Sequence, residues 1–239
     1  TSAAEETPDY TEGIDRGIEG LKVGFPKEYF GEELDPGIAK KARQWRNTFE
    51  RMGAEVVDIS LPHTEYAIAT YYIIASSEAS ANLARFDGVR YTSRAKTNSI
   101  EKLFSKSRDE GFGPEVKRRI LLGTYALSAG YYDEYYGKAQ KARQLIKRDF
   151  DRAFQDVDLI AAPASPTPAF KIGEKIEDPL EMYLSDIFIV PVNLAGIPAM
   201  SVPGGQVDDL PVGLQIMGGS LAEKKILRAG YAFEQTFEE

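Results

Sequence analysis

Leu21–Leu61 reads LKVGFPKEYFGEELDPGIAKKARQWRNTFERMGAEVVDISL and places a strand, a helix and a second strand in immediate succession. Residues 21–25 predict a short strand that Pro26 ends. Asp35 and Pro36 are typical of an N-cap and a first helical position. Behind them, apolar residues recur at helical spacing: Ile38, Ala42, Trp45, Phe49 and Met52. A β-branched strand follows up to Leu61, so the stretch predicts two parallel strands covered by a helix.

The rest of the chain alternates helical and strand patterns. Two capping boxes, Asn98 with Glu101 and Ser220 with Glu223, predict the starts of a short helix and of the last helix. The other predicted elements are, in chain order, a small-residue helix over 64–86, a long helical stretch over 113–154 that bends at Gly130, a strand over 157–162, a short helix over 179–188, and strands over 199–202 and 212–217 with their turn at 204–211. We therefore expect one α/β body over residues 1–239.

Composition excludes several classes of protein. The chain has 239 residues, 43% of them hydrophobic, which is enough for a core. It has no cysteine and one histidine, so disulfide scaffolds, thiolate nucleophiles and cysteine-containing zinc sites are excluded. No apolar run approaches the ~18–20 residues that span a bilayer, and no signal peptide is recognisable. We expect no membrane contact, no metal site and a cytoplasmic protein.

The net charge of −8 is unevenly distributed. Residues 1–35 hold ten acidic and three basic residues, a local charge of −7. Residues 1–19 are polar and are expected to be extended or loosely packed. This acidic start argues against non-specific nucleic-acid binding by the whole chain. The helix around 138–152 is locally basic and is interpreted mainly as a solvated face.

Common catalytic motifs are missing from the sequence. It contains no Gly-x-Ser-x-Gly elbow, no P-loop and no Gly-x-Gly-x-x-Gly. His63 follows Leu61-Pro62 with no serine or carboxylate at a diagnostic spacing, so we interpret it as a surface or helix-start residue. A Ser–Lys pair stays open, because no spacing singles one out.

Several longer motifs carry a more specific signal. Asp158–Ala169 (DLIAAPASPTPA), Pro191–Pro203 (PVNLAGIPAMSVP) and Pro211–Gln215 resemble signatures of the amidase signature family. Ala75–Gly88 (ASSEASANLARFDG) and Gly111–Thr124 (GFGPEVKRRILLGT), with GYYD at 130–133, resemble one branch of it, the A subunits of glutamyl-tRNA(Gln) amidotransferases. The resemblance covers nearly the whole chain. It implies a large mixed, twisted sheet covered by helices, of which residues 1–239 would form the C-terminal half.

The resemblance also implies where catalysis lies. The Ser–cis-Ser–Lys triad of the family belongs to the first half of the full-length chain, and Thr1-Ser2 resembles the end of a motif just downstream of it. No catalytic residue is therefore assigned within 1–239, and we expect this segment alone to have no glutaminase activity.

Substrate binding is what the resemblance assigns to this half. It implies that Arg119 binds the α-carboxylate of glutamine, that Asp186 binds its α-ammonium group, and that Tyr71 lies alongside. A guanidinium can bind a carboxylate through two parallel hydrogen bonds, so the residue types suit these roles. Without the resemblance, Arg119 and Asp186 would be interpreted as exposed helix charges and Tyr71 as a core residue.

The implied reaction is release of ammonia from glutamine. A partner, the B subunit of such assemblies, then uses ATP and magnesium to convert Glu-tRNA(Gln) to Gln-tRNA(Gln). A small C subunit wraps the glutamine-hydrolysing one, and no cofactor belongs to this chain. The acidic start and the basic helix are candidate contacts. Two alternatives remain: a stand-alone amidase acting on another small amide, and a non-catalytic assembly platform.

Overall fold

The computed structural model describes residues 4–31, 33–90, 93–175 and 179–236. The chain divides into two compact units, residues 1–68 with 144–239, and residues 69–143, here called the sheet unit and the helical unit. The strands are β1 (Lys22–Pro26), β2 (Glu55–Ile59), β3 (Leu159–Pro163), β4 (Ala199–Val207) and β5 (Leu210–Gly218). The α-helices are α1 (Pro36–Arg51), α2 (Ala67–Leu83), α3 (Ile100–Gly111), α4 (Pro114–Ala126), α5 (Lys138–Asp156), α6 (Pro179–Leu184), α7 (Val190–Ala195) and α8 (Glu223–Gln235).

The five strands form one mixed sheet in the order β2-β1-β3-β5-β4. Strand β1 is parallel to both β2 and β3, whereas β5 is antiparallel to β3 and β4. All five residues of the central strand β3 are buried. The predicted parallel pairing of the first two strands and the predicted mixed α/β sheet with helices are both confirmed.

Helix α1 forms as its sequence predicts. The Asp35 carboxylate accepts hydrogen bonds from the backbone N–H groups of Gly37 and Ile38, at 2.8 and 3.1 Å, and thereby caps two otherwise unpaired donors. Four of the five predicted apolar positions are buried, and Met52 becomes the C-cap. This apolar face packs against the sheet.

The core of the sheet unit is aromatic. The Phe49 ring on α1 lies 6.2 Å from the Phe25 ring on β1 and 5.4 Å from the Phe233 ring on α8, so one residue joins three elements. The Trp45 Nε1–H donates a 2.8 Å hydrogen bond to the buried carbonyl of Gly204. A Cβ on Gly204 would lie 2.5 Å from the indole, which explains why glycine occupies that position.

The turn between β4 and β5 differs from its prediction. Both strands are longer than predicted, and the chain reverses at Asp208 and Asp209, whose φ angles are 50° and 62°. Gly205, with φ 102°, instead lies in an irregularity where the register shifts between Pro203 and Gln206. The two glycines therefore mark a bulge, and short aspartate side chains supply the left-handed turn.

The two capping-box predictions are wrong in position. Helix α3 is capped by Ser99, one residue later than predicted, and its hydroxyl accepts from the Lys102 N–H. Helix α8 has Ala222 at its N-cap and no side-chain cap bond, because alanine offers no acceptor, and the preceding residue, Leu221, has a φ of 59°. The predicted helix over 179–188 is instead α6 followed by turns, and α7 begins only after it.

In the helical unit, the small-residue face of α2 lets a second helix approach closely. A Cβ on Gly123 of α4 would lie 2.0 Å from the carbonyl oxygen of Ser76 on α2. The predicted bend at Gly130 is confirmed, since this residue has φ 94° and a π-helical turn, Asp133–Gly137, precedes α5. The α2–α4 contact places Tyr72 opposite Arg119.

Candidate functional site

Arg119 lies on α4 with 29% of its side chain exposed. Its Nε donates a 2.8 Å hydrogen bond to Oε1 of Glu115, one turn earlier on the same helix. Its guanidinium carbon lies 5.3 Å from the centre of the Tyr72 ring, within the range of a cation–π contact. The hydrogen bond to Glu115 raises the pKa of Arg119 above its ordinary value, against partial burial, and Tyr72 and Tyr71 add to the rise.

Tyr71 lies on α2 close to the Arg119 guanidinium. Its hydroxyl contributes to the raised pKa of Arg119, and its ring meets the Tyr72 ring edge-on with centres 5.2 Å apart. Two aromatic side chains of α2 and one carboxylate of α4 therefore surround this cation. A binding role for Tyr71 and Arg119 stays a prediction.

Asp186 belongs to the sheet unit, in the turns between α6 and α7, and is partly buried. Its backbone N–H donates to the Tyr183 carbonyl, and its own carbonyl accepts from Ile189 and Val190 at 3.0 Å each. These bonds fix the backbone that carries the carboxylate. That Asp186 binds the same molecule as Arg119 and Tyr71 stays a prediction.

A cavity of about 490 Å³ opens in the sheet unit beside Ile187 and Phe188, the residues that follow Asp186. Its wall includes Tyr29, whose ring stacks on Phe188 with centres 4.9 Å apart. Burial raises the pKa of the Tyr29 hydroxyl, so this phenol stays neutral. Three carboxylates also line the cavity and make it acidic: Glu28, Glu33 and Glu65. The acidic lining of this cavity favours a cationic group.

His63 has a partner that its sequence context did not reveal. Its Nδ1 lies 2.9 and 3.0 Å from the two carboxylate oxygens of Asp149, a residue of α5. The histidine is at a helix start, as predicted, but it is tied to a carboxylate that is only 3% exposed. The two residues are 86 positions apart, so the sequence contains no spacing that would indicate their contact.

Side chains that could hold a metal ion are not clustered in the described ranges. Within residues 4–31, 33–90, 93–175 and 179–236, no three His, Asp or Glu side chains are grouped closely enough to do so. Over the same ranges, no helix combines the length and hydropathy needed to cross a membrane.

Comparison with known proteins identifies the family of the chain. Residues 1–227 match the family model described as Amidase. The chain belongs to the amidase signature family. Its mixed sheet is accordingly part of an amidase fold. The crystal structure of a bacterial aryl acylamidase of this family aligns with a TM-score of 0.75, over 98% of this chain and 47% of that one. The two sequences are 20% identical, so this likeness concerns the fold alone.

Relatives in this family include proteins named as the A subunit of glutamyl-tRNA(Gln) amidotransferase. That of Geobacter sp. strain M21 is 56% identical over 237 residues, which are 98% of this chain and 49% of the relative. That of Geobacter metallireducens is 58% identical over 238 residues, with the same coverage of both chains. The chain thus spans about half the length of the curated relatives it matches.

A solved structure adds to this likeness. The crystal structure of the glutamyl-tRNA(Gln) amidotransferase A subunit from Thermotoga maritima aligns with a TM-score of 0.72 at 39% identity, over 93% of this chain and 44% of that one. Amidase chemistry is therefore the family context in which Arg119, Tyr71 and Asp186 are interpreted.

Proposed function

We propose that this chain is the glutamine-binding half of the amidase subunit of a tRNA-dependent amidotransferase. The observation that carries the proposal is the 56% identity, over 98% of the chain, with an A subunit of glutamyl-tRNA(Gln) amidotransferase. In the proposed reaction the intact protein releases ammonia from glutamine. The B subunit, with ATP and magnesium, uses this ammonia to convert Glu-tRNA(Gln) to Gln-tRNA(Gln). The C subunit completes the assembly, and the protein works in the cytoplasm.

The surroundings of Arg119 support a carboxylate-binding role. Its Nε donates to Glu115, so we propose that a carboxylate ligand binds through the terminal nitrogens. Two parallel bonds from a guanidinium to a carboxylate give both affinity and a fixed orientation. The Tyr72 ring on one side and Tyr71 beside it limit the directions from which the carboxylate approaches.

Asp186 is proposed to select the other end of the substrate. A free amino acid brings an ammonium group that pairs with this carboxylate, whereas a peptide or a fatty amide brings no such cation. The acidic cavity beside the next two residues, Ile187 and Phe188, also favours a cationic group in this part of the sheet unit. Together, Arg119 and Asp186 would distinguish glutamine from simpler amides.

The test replaces Arg119 with alanine in the intact protein and measures glutamine hydrolysis. Each charge-assisted hydrogen bond contributes about 1.5–3 kcal/mol, so we expect the KM for glutamine to rise about 10- to 100-fold. Lys117→Ala is the matched control, because Lys117 is a neighbouring cation on the same helix that pairs with Asp109 and not with Glu115. An unchanged KM in Arg119→Ala would favour a stand-alone amidase acting on another amide. Absence of glutamine binding in calorimetry of the unmodified protein would favour an assembly platform.

A further inference from the structure

The conformation of Arg119 is set by a carboxylate that is itself held on both sides. Glu115 is the second residue of α4, where the positive end of the helix dipole favours a negative charge. Its Oε1 accepts from Nε of Arg119, and its Oε2 accepts from Nη1 of Arg118. Since each oxygen bonds a different arginine, rotation of the carboxylate would break at least one bond.

The helix pair fixes the other side of the guanidinium. Tyr72 on α2 lies beneath Arg119, and one turn further along the two helices the backbone of Ser76 touches Gly123. Because glycine at 123 allows this close approach, α2 and α4 are also close together at the level of Tyr72 and Arg119. The Arg119 side chain therefore has little room to move. The guanidinium is therefore limited by an aromatic face and a carboxylate.

A free arginine side chain would lose much conformational freedom when it binds a ligand. Its rotamer entropy is among the largest of all side chains, and fixing it beforehand reduces the loss on binding. Contact through Nε also decides which edge of the guanidinium remains for a ligand. The two terminal nitrogens point away from Nε, and they can still form parallel bonds to a carboxylate.

We propose that Glu115 is a positioning residue for Arg119: it holds the guanidinium through Nε so that the terminal nitrogens meet the α-carboxylate of the substrate. This inference rests on the proposed glutamine function. It predicts that Glu115 affects only substrates that carry the carboxylate. A residue that merely stabilised α4 would affect all substrates alike.

The experiment compares glutamine with 4-aminobutanamide, which is glutamine without its α-carboxylate, in the intact protein. Ammonia release is measured for the unmodified enzyme, Glu115→Gln and Arg119→Ala. Glu134→Gln is the matched control, since Glu134 also pairs with a basic residue four positions later, Lys138, in the same unit. At 43% exposure, the Glu115 side chain tolerates the isosteric amide, and hydrolysis of 4-aminobutanamide reports that each variant is folded.

We expect Glu115→Gln to raise the KM for glutamine about tenfold with kcat nearly unchanged, because an ion pair is replaced by a weaker bond from the guanidinium to a neutral amide. Its kcat/KM for 4-aminobutanamide should stay within about twofold of that of the unmodified enzyme. In Glu134→Gln, kcat/KM should stay within about twofold for both substrates. Equal losses on both substrates, or no loss on glutamine, would overturn the positioning role. If Arg119→Ala also leaves the preference for glutamine unchanged, the proposed function itself fails; if only Glu115→Gln leaves it unchanged, the positioning role alone fails.

Discussion

The imidazole Nδ1 of His63 lies 2.9 Å from Oδ2 of Asp149, and the same oxygen accepts the His63 backbone N–H at 2.8 Å. One buried carboxylate thus receives both the side chain and the backbone of a residue 86 positions away. A buried acceptor contributes little net stability when it is paired, but it is costly when its partner is removed. This pair therefore connects the short 3₁₀ helix Pro62–Tyr66, which precedes α2, to α5.

Removing the Asp149 carboxylate should destabilise the sheet unit. In Asp149→Ala, the His63 backbone N–H and imidazole lose their acceptor, and we expect the free energy of unfolding to fall by about 1–3 kcal/mol. Denaturant unfolding of the intact protein measures the change. Asp151→Ala is the control on the same helix, because Asp151 is half-exposed and pairs with Lys147 at the surface. Equal losses in the two variants would show that the His63 contact adds nothing.

Replacing Gly123 with alanine should separate α2 from α4. The added Cβ would lie 2.0 Å from the Ser76 carbonyl oxygen, and a backbone atom cannot move aside cheaply. We expect a loss of about 1–3 kcal/mol in unfolding free energy, with a higher KM for glutamine because Tyr72 moves away from Arg119. Thermal unfolding and glutamine kinetics measure the two effects. Gly137→Ala, whose Cβ would meet nothing closer than 3.6 Å, should change neither.

The Asp158 carboxylate makes stability depend on pH. Burial raises its pKa, but the hydrogen bonds from Lys225 and from the Lys22 N–H outweigh burial and hold the pKa below the ordinary 3.8. A lowered folded-state pKa gives stability that is present above the unfolded pKa and is lost as pH falls through the folded pKa. We expect Asp158→Asn to be less stable by about 0.5–1 kcal/mol at pH 7, since the carboxylate is about one-third exposed.

Unfolding of Asp158→Asn and the unmodified protein should be measured from pH 7 down to below pH 3.8. The two stability curves should converge at the acidic end, where the native carboxylate is protonated. A difference that stays constant over this range would mean that the ion pair with Lys225 carries none of the effect.

Local patterns in the sequence were sufficient for part of the fold. Asp35 caps α1 and Phe49 is buried as their positions predict, since both effects act within a few residues. The hairpin turn and the start of α8 were misplaced, because Asp208, Asp209 and Leu221 adopt positive φ angles that non-glycine residues seldom show. The pairing of β4 with β5 determines the conformation of the hairpin turn, and a local sequence pattern carries no information about that pairing.

The candidate site, like the fold, could be predicted only in part from the sequence. Glu115 is four positions before Arg119, so their contact was available from helical spacing once α4 was predicted. Tyr72 reaches Arg119 only through the α2–α4 packing at Gly123, and His63 meets Asp149 only in the folded chain. The roles of Arg119, Asp186 and Tyr71 came from family resemblance, because neither spacing nor composition distinguishes a ligand-binding charge from an exposed one.

Asp186 should determine whether the substrate needs an ammonium group. In Asp186→Asn the ammonium loses its ionic partner, so we expect the KM for glutamine to rise about 10- to 100-fold, as loss of a charge-assisted contact of about 1.5–3 kcal/mol implies. The second substrate is 4-carbamoylbutanoate, which keeps the carboxylate but lacks the ammonium. Its hydrolysis should be unchanged or faster, because leaving a neutral amide without a cationic partner in the complex costs less free energy than leaving a carboxylate unpaired. Asp151→Asn supplies the same chemical change at an exposed position of the same unit. If Asp186→Asn slows both substrates equally, Asp186 supports the fold of its turn, and selection of a free amino acid must come from another residue.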